Sequence, residues 1–145
     1  MKKVGLALTS TLVVACAIAV PAALGLKSSA ARAVGPWVTV QVKTQTKTLL
    51  PAARVRGRTG WITKGGTPRG KCSAASAAGA LNVATHGHWT GKYYSGIGIF
   101  ISSIRGVKPA GKEFWGVYVN GRFSQHGVCA IKLRAGQRLL FKIHG

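Results

Sequence analysis

Apolar and polar positions alternate with a period of two in the stretch Trp37 to Thr44: Val38, Val40 and Val42 share one face, Thr39 and Gln41 the other. This is the pattern of a half-buried strand. A second such stretch, Phe114 to Val119, sets Val117 and Val119 against Gly116 and Tyr118 and runs into Asn120-Gly121. That pair favours a type I′ turn, because both positions tolerate positive φ. The chain is then expected to return as Arg122 to Gln125 and form a central hairpin. Ile99 to Ile104 and Arg138 to Ile143 read as further strands, and Ile131 to Leu133 as extended. Thr48 to Pro51 starts another extended piece, which Pro51 places at an edge or a strand end.

A different period governs Ser73 to Ala84. Ala74, Ala77, Ala78, Leu81 and Ala84 form a small-residue stripe at helical spacing. The spacing predicts one helix, capped by Ser73. Gly79 inside it costs about 1 kcal/mol relative to alanine, and close packing against a sheet would explain its presence. Thr59 to Lys71 holds Gly60, Gly65, Gly66, Pro68 and Gly70 and reads mostly as loop around Trp61 to Thr63. Trp89 to Gly98 is rich in aromatics and glycine, Arg105-Gly106 opens a turn, and Arg134 to Gln137 is another turn.

The first 33 residues change this picture. Lys2 and Lys3 precede an uncharged apolar run from Val4 to Leu26, and Ala31-Arg32-Ala33 fits a small-x-small cleavage site. Residues 1–33 are therefore expected to be a secretory signal and residues 34–145 one domain. An uncleaved membrane anchor is the alternative, since the run is long for a signal. Of 21 basic residues, four (Lys2, Lys3, Lys27 and Arg32) precede the cleavage point, leaving 17 against the single acid Glu113, a net +16. Such a field favours anionic partners. Cys16 leaves with the leader; Cys72 and Cys129 remain, an even pair in an oxidising compartment, and are expected to form a disulfide. The chain-entropy model credits so long a loop with about 4 kcal/mol.

One carboxylate side chain limits the chemistry. A serine triad needs a carboxylate to orient its histidine, and glycoside hydrolysis usually needs two. A cysteine nucleophile would need a free thiol, and no phosphate loop or dinucleotide fingerprint is present. The chain is read as a non-enzyme. His86-Gly87-His88 is a close histidine pair that His126 or His144 could join, but a polar turn at the helix end explains it as well, and no metal site is assigned. Aromatics are dense from Trp89 to Phe123. Half should be core. Tyr93, Tyr94, Trp115 and Tyr118 are the surface candidates, and with Lys92, Lys112 and Arg122 they form the candidate ligand-binding set: rings to stack on sugars, bases or a flat cofactor, cations to hold anionic groups. Arg54, Arg56, Arg58, Lys64, Arg69 and Lys71 could form a second basic patch. No specific nucleic-acid motif accompanies it.

The run Ile101 to Val107, then Trp115 to Gly121, Gly127, and Leu133 to Gln137 before a terminal strand resembles the DUF4430, or transcobalamin C-terminal-like, domain in its secreted bacterial form. Thr48 to Pro51, Cys72 before the alanine helix, and Gly127-Val128-Cys129 extend the resemblance over about Trp37 to Ile143. It implies an α+β, β-grasp-like fold: a mixed sheet packed on one short helix, related to soluble ligand-binding domains. In the transcobalamin relatives this domain covers one face of cobalamin beside a large helical domain, of which these residues hold no counterpart. Cobalamin thus enters by resemblance only, and the residues themselves assign no cofactor. The expected function is a secreted or envelope-associated binding module for an anionic cell-surface polymer or a small ligand. Contact with membrane is expected only through an uncleaved leader. A cationic membrane-active protein is the competing class, although the predicted helix carries no charge.

Overall fold

The computed structural model describes residues 35–65 and 70–145. The expected leader, with Cys16, lies outside the described residues, as does Arg69 of the second basic patch. Among the described residues nine strands and one helix follow in order: β1 (Trp37–Lys43), β2 (Thr48–Arg56), β3 (Trp61–Lys64), β4 (Gly70–Ser73), α1 (Ala77–Ala84), β5 (Trp89–Tyr94), β6 (Gly98–Ile104), β7 (Phe114–Val119), β8 (Arg122–Phe123) and β9 (Arg138–His144). A five-stranded sheet has the order β2-β1-β9-β7-β8; β3-β4 and β5-β6 are separate two-stranded sheets. β1 and β9 are parallel, and the other pairs of the large sheet are antiparallel. The mixed sheet on one short helix is the expected α+β arrangement.

Thr44 makes the first turn. Its hydroxyl oxygen accepts from the N–H groups of Lys47 (2.8 Å) and Thr46 (3.3 Å), a side-chain mimic of a backbone turn. β2 then lies at the sheet edge, where Pro51 costs no central ladder bond. At the other side Asn120 and Gly121 take φ of 50° and 85°, as a type I′ turn requires. The returning strand is shorter than expected. β8 pairs with β7 at two positions only, whereas β9 pairs with β7 at six, from Phe114↔His144 to Val119↔Leu139. The last strand, not the hairpin's own return, is the main partner of β7.

Three further expectations are corrected. The helix starts at Ala77, and Ser73 ends β4. The reason is tertiary: the N–H groups of Ala77 and Ala78 donate to the carbonyls of Ile131 (2.8 Å) and Val128 (3.1 Å). Orphan helix donors are thus met by another segment. Ser73 Oγ accepts locally from Ala75 N–H instead. Gly79 is needed for a different neighbour than the sheet: a Cβ there would collide with the backbone of Ala74, just before the helix. Finally, the stretch read as mostly loop contains the β3-β4 hairpin, with Ile62 opposite Cys72.

The core lies between α1 and one face of the large sheet. Val38, Val40 and Val42 from β1 and Leu139, Phe141 and Ile143 from β9 join Trp115 and Val117 of β7 in one buried cluster with Ala77, Ala78 and Leu81. The cystine Cys72–Cys129, with Cα atoms 5.1 Å apart, ties β4 to the segment that caps the helix. Ile99 N–H donates to Cys129 Sγ. No described helix is long and apolar enough to cross a membrane.

Candidate functional site

Alternation puts the other half of each strand on the opposite face of the sheet, away from α1. The register aligns these residues across the sheet. Arg56 pairs with Trp37, and Arg54 with Thr39, which pairs with Arg138. Lys43 pairs with Lys142, which pairs with Gly116. Leu140 pairs with Tyr118, which pairs with Phe123. Arg54, Arg56, Arg138 and His144 are exposed, and Lys43, Lys142 and Tyr118 are half-buried.

Two ring clusters organise this outer face. At one side the guanidinium carbons of Arg54 and Arg56 lie 5.0 and 5.8 Å from the Trp37 ring centroid, and Arg56 Nε donates to Gly35 O at 3.1 Å. Cation–π contact holds both forks over the indole. At the other side Phe114, Tyr118, Phe123 and His144 interlock. Phe123 stacks on His144 at 5.0 Å, and Phe114 meets His144 edge-on at 5.2 Å. Tyr118 is edge-on to Phe123 at 5.4 Å, and its hydroxyl is 3.0 Å from His144 Nδ1. Gly116 makes room for them: a Cβ there would stand 2.8 Å from the Phe123 ring.

A cleft of ≈ 320 Å³ adjoins this cluster, between β6 and β7. Its walls include Phe100, Phe114, Trp115 and Phe123. Across it, Tyr94 and Phe100 meet edge-on at 6.5 Å, with Lys92 Nζ 5.3 Å above the Tyr94 ring.

The expected site residues therefore separate. Lys92 and Tyr94 come together on the β5-β6 hairpin. Tyr118 belongs to the four-ring cluster, whereas Tyr93 is half-buried against Gly70, where a Cβ would collide with its ring. Trp115 corrects the expectation of a surface position. It is 4 % exposed, part of the core, and its Nε1 has no hydrogen-bond partner among the described residues. Its place in the strand decides this, since it pairs with Ile143 on the inner face. Lys112 is exposed in the turn before β7. Arg122 lines a different cavity, beside Lys132 and Arg134. Trp37, Phe123 and His144 were missed. Only strand pairing brings them to this face, and the period-two pattern of β1 already contained the clue for Trp37.

The electrostatics are one-sided. Glu113 accepts from Gln45 Nε2 (2.9 Å) and Ala110 N–H (3.2 Å), so the chain's one acid is engaged by neutral donors. Lys64 of the second basic patch is tied inward, donating to the carbonyls of Gly87 (2.8 Å) and Trp89 (2.9 Å). Burial holds its pKa below the usual lysine value. Arg58 and Lys71 are exposed. His86 and His88 are exposed at the helix end, and among the described residues no three His, Cys, Asp or Glu side chains gather as metal ligands.

The fold and this face define a sheet-on-helix domain, and comparison with known proteins shows what it is similar to. Residues 75–145 match the family Domain of unknown function (DUF4430). The match begins after β4. No curated protein matches the chain. Among solved structures, a candidate metal binding protein from Ruminococcus gnavus ATCC 29149 superposes with a TM-score of 0.54 at 11% identity, covering 75% of this chain and 96% of that one. Haptocorrin in complex with Cbi superposes with a TM-score of 0.55 at 14% identity, covering 77% of this chain. The chain spans 26% of haptocorrin's length. At these identities the likeness is one of fold alone.

Proposed function

We propose that the protein is an exported, non-catalytic binding module whose outer sheet face docks an anionic polymer of the cell envelope. The observation that carries this reading is the face itself: Lys43, Arg54, Arg56, Arg138 and Lys142 share it with Trp37 and the four-ring cluster, and the only acid of the chain is held elsewhere. Rings stack on sugar or polyol repeats while cations meet the charges between them. The disulfide supports an oxidising compartment.

Retention of the full chain on immobilised polyol-phosphate polymer, compared with a neutral glycan over a salt series, tests this. Saturable retention is expected to survive about 0.15 M salt, where the Debye length has fallen to about 8 Å. Replacing Arg54, Arg56 and Lys142 together by glutamine should weaken it at least about tenfold, each lost charge-assisted contact being worth about 1.5–3 kcal/mol. Retention that ignores polymer type and disappears at modest salt would overturn the reading. Liposome leakage caused by the chain would point to the membrane-active class instead.

A small flat ligand in the β6-β7 cleft is a second reading, favoured by the aromatic walls of that cleft and by the neighbour's complex with Cbi. Cobalamin added to the full chain should then raise its unfolding temperature. An unchanged transition would remove this alternative.

A further inference from the structure

We propose a separate site for a phosphate ester on the other flank of the β7-β8 hairpin, in a cavity of ≈ 500 Å³ between that hairpin and the segment 130–137. Arg122, Lys132 and Arg134 line it. They come from two chain segments that are adjacent only in the fold. All three residues are exposed. Three like charges around one concavity repel each other, and the repulsion is relieved only when something negative enters. The chain cannot supply it. Its one acid, Glu113, sits at the opposite end of β7 from Arg122 and already accepts from Gln45 and Ala110.

The cavity is also built rather than incidental. Arg134 N–H donates to Gln137 Oε1 at 3.1 Å, and Gln137 N–H returns to Arg134 O at 3.2 Å. Gln137 is itself buried. The hairpin tip is locked on the other side, Asn120 exchanging hydrogen bonds with Arg138, side chain to N–H and N–H to carbonyl, both 2.8 Å. Lys132 is held by its bridge to Ser76. Walls fixed in this way let flexible cationic side chains converge with little backbone ordering on binding.

A tetrahedral dianion matches the donors. Two arginine forks give parallel N–H pairs to its oxygens, and the lysine adds a point charge. The volume exceeds that of a bare ion, and Val119 and Ile131 supply apolar wall for the carbon unit of an ester. The same group could arrive on a free ester or on a phosphate polymer.

Calorimetric titration of the full chain with inorganic phosphate and with glycerol 3-phosphate, at ionic strength matched with chloride, tests the site. Saturable binding is expected for both, tighter for the ester. The double variant Lys132→Gln, Arg134→Gln should bind at least about tenfold more weakly while unfolding at an equal or higher temperature without ligand, since the mutual repulsion of the cations is gone. The variant Arg54→Gln, Arg56→Gln should bind phosphate normally. Phosphate displaced by polyol-phosphate polymer assigns the site to the polymer, and phosphate left in place assigns it to a free ester. Absence of saturable heat, or equal affinity in the Lys132, Arg134 variant, overturns the proposal. Neither result bears on polymer retention by the outer face, which depends on other residues.

Discussion

The two faces of the five-stranded sheet are made by the same strands, one residue apart. On the inner face Val40, Val42 and Phe141 are fully buried under α1. On the outer face their neighbours Gln41, Lys43 and Lys142 keep water contact, and Trp37 is 44% exposed with two arginines over it. Composition does not distinguish the faces as cleanly as covering does, for Trp37, Phe114 and Phe123 are as apolar as anything inside. What differs is that the inner face meets the helix and the cystine-tied segment, while the rings outside meet each other and cations. The inner face holds the fold together, and among the described residues no helix or second sheet is packed over the outer face.

The contrast breaks most readily at Phe141. Truncating it to alanine should cost about 3–5 kcal/mol by denaturant titration, through lost burial and a cavity. A cost under about 1 kcal/mol would mean that the inner face is not the core. Next comes the cystine. Replacing Cys72 and Cys129 together by serine should lose about 4 kcal/mol on the chain-entropy account, with polymer retention per folded molecule preserved. Smaller still is Tyr118→Ala on the outer face, expected to cost about 1 kcal/mol of stability from its ring contacts but to weaken polymer retention about fivefold or more. Equal losses in both measurements would make the ring cluster mere packing.

The smallest effect distinguishes an inward-tied cation from the outer ones. Because burial lowers the pKa of Lys64, the unfolded chain holds the extra proton between the folded value and the ordinary lysine value. Stability should therefore rise with pH across that window. Measured against Lys64→Met, which lacks the titration, the native chain should gain stability as pH rises there. A relative loss would reverse the sign of the assigned shift.

Much of this was readable in local pattern. The alternation of Val38, Val40 and Val42 gave β1 its inner face, and Asn120-Gly121 gave the turn, because both signals depend only on nearest neighbours. The alanine stripe gave α1, but not its start. That start waits on the carbonyls of Val128 and Ile131, which no local rule could supply. The β3-β4 hairpin was hidden because its glycines read as loop. Trp115 was misplaced for a different reason: its parity with Val117 and Val119 already put it on the core face, but its aromatic neighbourhood was weighed ahead of that alternation.

Taken alone, the sequence determined the single acid and the surplus of cations, the period-two strands, the one helix and the cystine pair, since each is a matter of residue type or short-range spacing. Tertiary structure decided which rings and cations share a surface. Inserting β9 between β1 and β7 sets His144 against Phe114 and Lys142 between Lys43 and Gly116, and a pairing between distant segments is written in backbone register rather than in any run of residues.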